Sequence, residues 1–588
     1  MENRKSYLTN KAFKSFLLAS LLTVAATQVG TTIDGIMLSY LIGDYAISSV
    51  AVCRPVLQVV FALCMLLGSG SSMLTGVAIG NRNRSEANRT FTAVVMTAVA
   101  AGAVALVVSR LFLGNIIGFL CPDEGLRVAS TDYLEVALGG AVFYLLSSIM
   151  EMFVAVDGNP RHVTLAVLVC TASNLVFDYV FISILALGMT GAAWASILSN
   201  ATAVVVLLPH FFKSGNLHLE FSHCMAMLPR CLSVGLPFGL GSMLTAAQMW
   251  GNNRIVMAYI GQDGILALSV YVYMLVLSII VLSGTLKAFQ PVTSILKGAG
   301  DNQGVKIVIR KAYRIMGISL LVFVLPMVLC PRQVAAVFGV TAPTVVEITS
   351  KALMAASANI AMLCLVYMFI PIYQLYGHKG MATFISVSLS LAPTLGLWLL
   401  AEVSPDLMWW GFALGQAATA AAIVAYAARK RRHNKNLTPI LLVPRDEMAD
   451  GFETSIPPSI DAMGRMLAET DAFLKSHIGN ASLVLHIEVS SEELLKNVIT
   501  HGYVKQGKRR YIDYRMSILP DSVCVVISDD AKPFNPIDNN CKAGLGLLLL
   551  RGLCKEIRYD YLFRQNVTTI VFPLSPGNMK SDTAAECE

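Results

Sequence analysis

Three side chains near the carboxyl end share a helical spacing: Glu493, Asn497 and His501, at i, i+4 and i+8 within EVSSEELLKNVITHGY. On a helix they occupy one face, while Leu494, Leu495 and Val498 cover the other. A carboxylate, an amide and an imidazole so aligned can hold a base beside an oxygen-ligated divalent cation. Downstream, VCVVISDD reads as a buried strand ending in Asp529 and Asp530, and AGLGLLLLRGLCKEI has glycines opening an apolar helix. Such a helix start can turn backbone N–H groups toward phosphate. A second group lies far upstream in apolar sequence: Asp34, then Asn174 and Asp178 one helical turn apart. An ionised carboxylate in such a place costs roughly 3 kcal/mol on insertion scales and needs a partner. Asp34 can exchange a proton, ligate sodium with nearby carbonyls, or simply bond to a neighbouring helix.

The elements that position these groups follow from composition. Of 588 residues, 55% are hydrophobic and 14% charged, against roughly 25% charged in ordinary globular proteins. Apolar runs of about 20 residues or more recur from Phe13 to about Ala428 and then stop, which predicts about 12 transmembrane helices. The first run extends past a signal-peptide core and is expected to be retained. Basic residues gather before the first span and after the second, fourth and eighth, so the positive-inside rule places both termini in the cytoplasm. The net charge of +7 suits loops beside anionic membrane lipid and calls for no nucleic-acid partner. The 12 cysteines show no CxxC pair and read as packing residues.

The apolar part repeats itself. DGIMLSYLIGDYAISSVAV from Asp34 lies over NRIVMAYIGQDGILALSVY, GNRNRSEANR over GDNQGVKIVIR, and GNPRHVT over GHKGMAT, at offsets near 219. Two six-helix bundles in one orientation, able to rock about a central cavity, are a transporter plan. With IDGIMLSYLIG in the first span and NLVFDYVFI in the fifth, the repeat resembles the MATE (multidrug and toxic compound extrusion) transporters. The resemblance implies an antiporter coupled to H⁺ or Na⁺ that exports small amphipathic organic compounds, with Asp34, Asn174 and Asp178 as cation-coupling residues. The second bundle has Asn252 where the first has Asp34, which points to coupling through the first bundle. Met243, Met249, Trp250 and Met257 can line a cavity for cargo or fill a core.

The tail's ordered set, EELLKN, DDAKPFNP, AGLGL and VTTIVF, resembles the histidine-kinase-type (GHKL/Bergerat) ATPases, nearest to anti-sigma-factor serine kinases. It implies ATP and Mg²⁺ as cofactors, Glu493 as catalytic base, Asn497 as Mg²⁺ ligand, Asp529 as adenine reader, Gly544 and Gly546 as phosphate-lid glycines, and Thr569 as an adenine contact. Ala531 departs from the family's glycine and can narrow the pocket.

The fold expected is thus an all-α polytopic membrane protein with two six-helix bundles, 1–218 and 219–428, a basic juxtamembrane segment and linker at 429–460, a soluble α/β-sandwich ATP-binding domain at 461–576, and a tail at 577–588. The expected setting is a bacterial plasma membrane. A membrane-anchored serine kinase acting on a cytoplasmic protein partner is the alternative function, as is a lipid-linked-sugar flippase.

Overall fold

The computed structural model of the chain describes residues 6–121, 124–213, 217–444, 451–503, 510–519, 521–533, 535, 554–563 and 565–574; the tail expected at 577–588 lies outside them. In lipid a chain must satisfy its backbone internally, and the apolar part is accordingly helical. Its first half runs α1 (Tyr7–Leu41), α2 (Asp44–Gly80), α3 (Arg84–Leu120), α4 (Glu124–Gly139), α5 (Ala141–Val156), α6 (Pro160–Asp178) and α7 (Gly188–Lys213). The second runs α8 (Leu228–Tyr259), α9 (Gln262–Gly298), α10 (Asn302–Leu329), the short α11 (Pro331–Val337), α12 (Pro343–Tyr367), α13 (Phe369–Leu375), α14 (Lys379–Val403) and α15 (Trp410–His433). Among the described residues eleven helices are long and apolar enough to cross a membrane, and α4 with α5, bent by 52°, bring the number to twelve when the pair is counted as one span.

The repeat is visible in the turns. Gly43 and Gly261 precede α2 and α9 with φ of 121° and 86°. Arg82 and Gly300, at 60° and 76°, precede the N-caps Asn83 and Asp301, whose side chains accept from the N–H groups of Glu86 and Gly304. The structural partner of Gly80 is therefore Gly298, two residues before the expected Gly300, because each glycine ends its helix and stands three residues before the cap of the next. With an even number of spans, the start of α1 and the end of α15 lie on one side, where the soluble domain sits.

On that side the bundles meet closely. A Cβ on Gly70 would stand 2.2 Å from the Gly235 nitrogen, and one on Gly298 would stand 2.2 Å from the Val77 carbonyl oxygen. Glycine is what permits this backbone approach.

The soluble domain contains β1 (Gly451–Ile456), α16 (Ile460–His477), α17 (Ala481–Asn497), β2 (Ile512–Ile518), β3 (Ser522–Asp529), β4 (Glu556–Leu562) and β5 (Gln565–Pro573). The strands form one antiparallel sheet in the order β1-β2-β3-β5-β4. Strand β1 falls inside the segment expected to be linker. Its six residues end just before Pro457 and Pro458, and those prolines disguised a strand whose partner, β2, is far away in sequence.

Strand alternation divides the sheet into two faces. Ile512, Tyr514, Met516, Val525, Ile527, Ile570 and Phe572 pack under α16 and α17. The opposite face carries Glu453, Ser455, Asp513, Arg515 and Asp560, and the membrane domain covers it. Asp513, fully buried, accepts from the backbone N–H groups of Leu8 and Thr9 at 2.7 and 3.3 Å and from Ser455 Oγ at 2.6 Å. Helix α1 has no side-chain cap from its own N-cap residue, Ser6. The orphan donors of its first turn are met by Ser455 and Asp513 instead, and a carboxylate there also complements the positive end of the helix dipole.

Candidate functional site

The first candidate site joins α1 to α6. Asp178, the last residue of α6, is fully buried, and neither of its carboxylate oxygens has a hydrogen-bond partner among the described residues. The carboxyl group of Asp34 acts on it directly, as a like charge and, once one of the two is protonated, as its hydrogen-bond partner. The Tyr133 hydroxyl of α4 feels both carboxylates and also reaches Ser196 of α7. Asn174 sits half-buried one turn before Asp178. Directly after Asp178 the helix widens into a π-helical segment, Tyr179–Ile184, a distortion frequent at functional sites. Two carboxylates held together away from water require a proton or a metal cation between them. These two residues are the ones that the sequence singled out.

The equivalent place in the second bundle is uncharged. Asn252 Oδ1 accepts from Thr394 Oγ1 at 2.8 Å and lines a cavity of about 340 Å³ with Gln248, Met249, Tyr271, Asn359 and Gln416. Of the side chains considered for cargo, Met249 faces this cavity. Met243, Trp250 and Met257 are exposed.

A charged pair that the sequence reading passed over lies at the seam between the bundles. Glu151 of α5 and Lys287 of α9 line one small cavity with Ser20, Thr23, Ser72 and Gln290, and their charges interact. A lone acid in SSIMEMFVAV was the available signal; its partner belongs to the other bundle.

The second candidate site is a cavity of about 250 Å³ between α17 and the sheet, lined by Asn497, His501, Gly502, Asp529, Ala531, Lys532, Asn566 and Thr568 among others. Asn497 donates from Nδ2 to Glu493 Oε1 at 3.4 Å, which leaves its Oδ1 for a cation. A single amide oxygen suits Mg²⁺ that keeps water and phosphate oxygens as its other ligands, so the residues present fit that ion. A π-helical turn, Val498–Gly502, follows Asn497 and carries His501 to the cavity.

Asp529 Oδ1 accepts from Asn566 Nδ2 at 2.7 Å and from the Ala531 N–H at 2.9 Å. Its second oxygen is thereby kept for a donor such as an adenine amino group. Burial pushes this carboxyl up to about 6, although both hydrogen bonds pull the other way. Ala531 is accommodated by Gly502: a Cβ at 502 would meet the Ala531 Cβ at 2.8 Å. The residue that Ala531 needs small is thus supplied from across the cavity.

Thr569 pairs with Val526 on the opposite face of the sheet, while Thr568, one residue earlier, lines the cavity. Gly544 and Gly546 lie outside the described residues.

Comparison with known proteins agrees with both halves. The MatE family matches residues 19–180, and the histidine kinase-like ATPase domain matches residues 456–572. Multidrug export protein MepA of Staphylococcus aureus (strain MSSA476) is 25% identical over 255 residues, 42% of this chain and 56% of that protein. MepA of Staphylococcus haemolyticus is 24% identical over 215 residues, 35% of this chain and 48% of that protein. The chain thus matches about half the length of these curated relatives. Among solved structures, MATE in complex with MaL6 superposes with a TM-score of 0.66 at 19% identity, covering 72% of this chain and 96% of that one. A MOP superfamily transporter from Pyrococcus furiosus gives 0.64 at 20% identity, covering 72% and 96%. These structures share the fold of the membrane part.

Proposed function

We propose that this chain, a multi-span membrane protein of the MATE family fused to a histidine kinase-like ATPase domain, is a cation-coupled exporter of small amphipathic organic compounds. The observation that carries the reading is the Asp34–Asp178 pair, in which Asp178 is fully buried and half-buried Asp34 is the like-charged group that acts on it. A proton or Na⁺ entering between the carboxylates relieves their repulsion, and losing it restores that repulsion. Such a swing in local free energy can be tied to rocking of the bundles. The positive-inside charge pattern supports placing both termini, and the ATPase domain, in the cytoplasm.

In the soluble domain, Asp529 would read adenine, Asn497 would hold Mg²⁺ through its Oδ1, and Glu493 would orient a nucleophile if the nucleotide turns over. Mg²⁺ supplies charge neutralisation at the phosphates. Regulation by bound ATP is favoured over phosphorylation of a protein partner because the outer face of the sheet is committed to the transporter. Efflux of a cationic dye from cells tests the reading. Asp34→Asn and Asp178→Asn should each abolish efflux with protein levels preserved, and unchanged efflux in both would refute the coupling site.

A further inference from the structure

We propose that the ATP-binding domain is a clamp that holds the two bundles together on its own side of the membrane, and that nucleotide binding loosens it. The inference rests on the exporter reading above, which supplies the rocking motion.

The domain grips one turn from each bundle, and the two turns are equivalent in the repeat. From the first bundle comes Arg82, in the α2–α3 turn, whose Nε donates to Asp560 Oδ1 on β4 at 2.5 Å. From the second comes Asp301, in the α9–α10 turn, which Arg515 on β2 holds at 2.7 Å with both side chains buried. The polarity is opposite at the two grips: the sheet offers an acid to a base and a base to an acid. In the sheet order, β3 and β5 lie between β2 and β4, so the grips are separated by three strand spacings, about 14 Å. A hydrogen-bonded sheet resists stretching across its strands. Bundles that rock apart on this side must therefore break one grip or distort the sheet.

A third attachment ties α1 to the nucleotide site. Beyond Asp513, Gln565 Nε2 donates to the Leu8 carbonyl at 3.1 Å and Ser455 Oγ accepts from the Tyr7 N–H at 2.9 Å. Phe563, in the β4–β5 turn at φ 55°, stands edge-on to Phe16 at 5.6 Å. Lys11 of α1 pairs with Asp530 at 2.8 Å. Asp530 also accepts from the Tyr503 hydroxyl at 3.1 Å and follows Asp529 directly. An adenine seated on Asp529 presses on the loop that Lys11 holds, and α1 runs from that loop to Asp34. Only a ligand that binds the two states unequally can shift them; here the difference is the strain that nucleotide places on the Lys11–Asp530 contact.

The test is a distance measurement on the full chain between spin labels at Tyr45 and Asp263, the starts of α2 and α9 on the side away from the domain. Cys330, Cys541 and Cys587 are replaced by Ser, and gradient-driven dye transport is measured in parallel. Without nucleotide one long distance should dominate. Adding ATP should raise a shorter population severalfold, and ATP should do nothing in Asp529→Asn. The double variant Arg515→Met, Asp560→Asn should show the shorter population without ATP. If saturating ATP leaves the wild-type distances unchanged, the clamp is overturned, whether or not the variant folds. ATP-dependent distances without gradient-driven transport would keep the clamp and overturn the exporter reading.

Discussion

Arg515 of β2 and Asp301 of the α9–α10 turn form an ion pair at 2.7 Å whose side chains are 4% and 6% exposed, joining the soluble domain to the second bundle. Asp301 has a second duty, since its Oδ1 caps α10 through the Gly304 N–H at 2.8 Å. Asp301→Asn keeps the cap and removes the charge. A buried arginine left with only Asp513 as a neighbouring counter-charge should then cost up to about 3–5 kcal/mol, read as a lower thermal midpoint. Adding Arg515→Met should recover part of the loss, because the buried guanidinium is gone, while Asp513 keeps only its hydrogen bonds to Leu8, Thr9 and Ser455.

Nucleotide affinity should depend on pH through Asp529. Its carboxyl titrates at about 6, and the ionised form is the acceptor for an amino group. Affinity is therefore full above that value and falls as pH drops through it, by about tenfold per pH unit in the limit. Titration of a fluorescent ATP analogue between pH 5 and 8 checks this; Asp529→Asn should bind weakly with a flat profile.

Gly502 and Ala531 should behave as a coupled pair. Gly502→Ala places two methyl groups at 2.8 Å, which should cost about 1–3 kcal/mol and weaken ATP binding. Ala531→Gly should be tolerated alone and should rescue Gly502→Ala. Additive effects in a double-mutant cycle would mean that the two positions do not share this space.

Glu151 and Lys287 should act together as well. Glu151→Gln or Lys287→Met leaves an uncompensated charge at the seam and should lower dye transport at least about tenfold. The double variant should transport better than either single one. A loss in the double variant equal to the product of the two single losses would assign each residue a separate role.

Much of this was legible in the sequence, for physical reasons. Twelve spans follow from hydropathy because lipid leaves a spanning chain few choices, and Asp34 and Asp178 stand out because buried charge is costly. Glu151 carried the same signal, yet its meaning depends on Lys287 in the other bundle, which spacing does not show. The resemblance implied Thr569, but a one-residue step along a strand exchanges its faces, and the pairing with β3 puts Thr568 at the cavity. Ala531 looked like a defect until Gly502, distant in sequence, proved to make room for it. The outer face of the sheet was the least legible part. Asp513 and Arg515 alternate with apolar residues as in any strand with one solvated face, and the sequence does not reveal that α1 and Asp301 occupy the place of water.

Transport by purified protein in sealed vesicles, with imposed proton or sodium gradients and with or without ATP on the domain side, tests the central claim most directly. Coupling through Asp34 and Asp178 predicts dye movement driven by one of the two gradients, modulated by ATP without requiring its hydrolysis, and lost in Asp34→Asn and Asp178→Asn. Movement that needs ATP hydrolysis and ignores both gradients would contradict it.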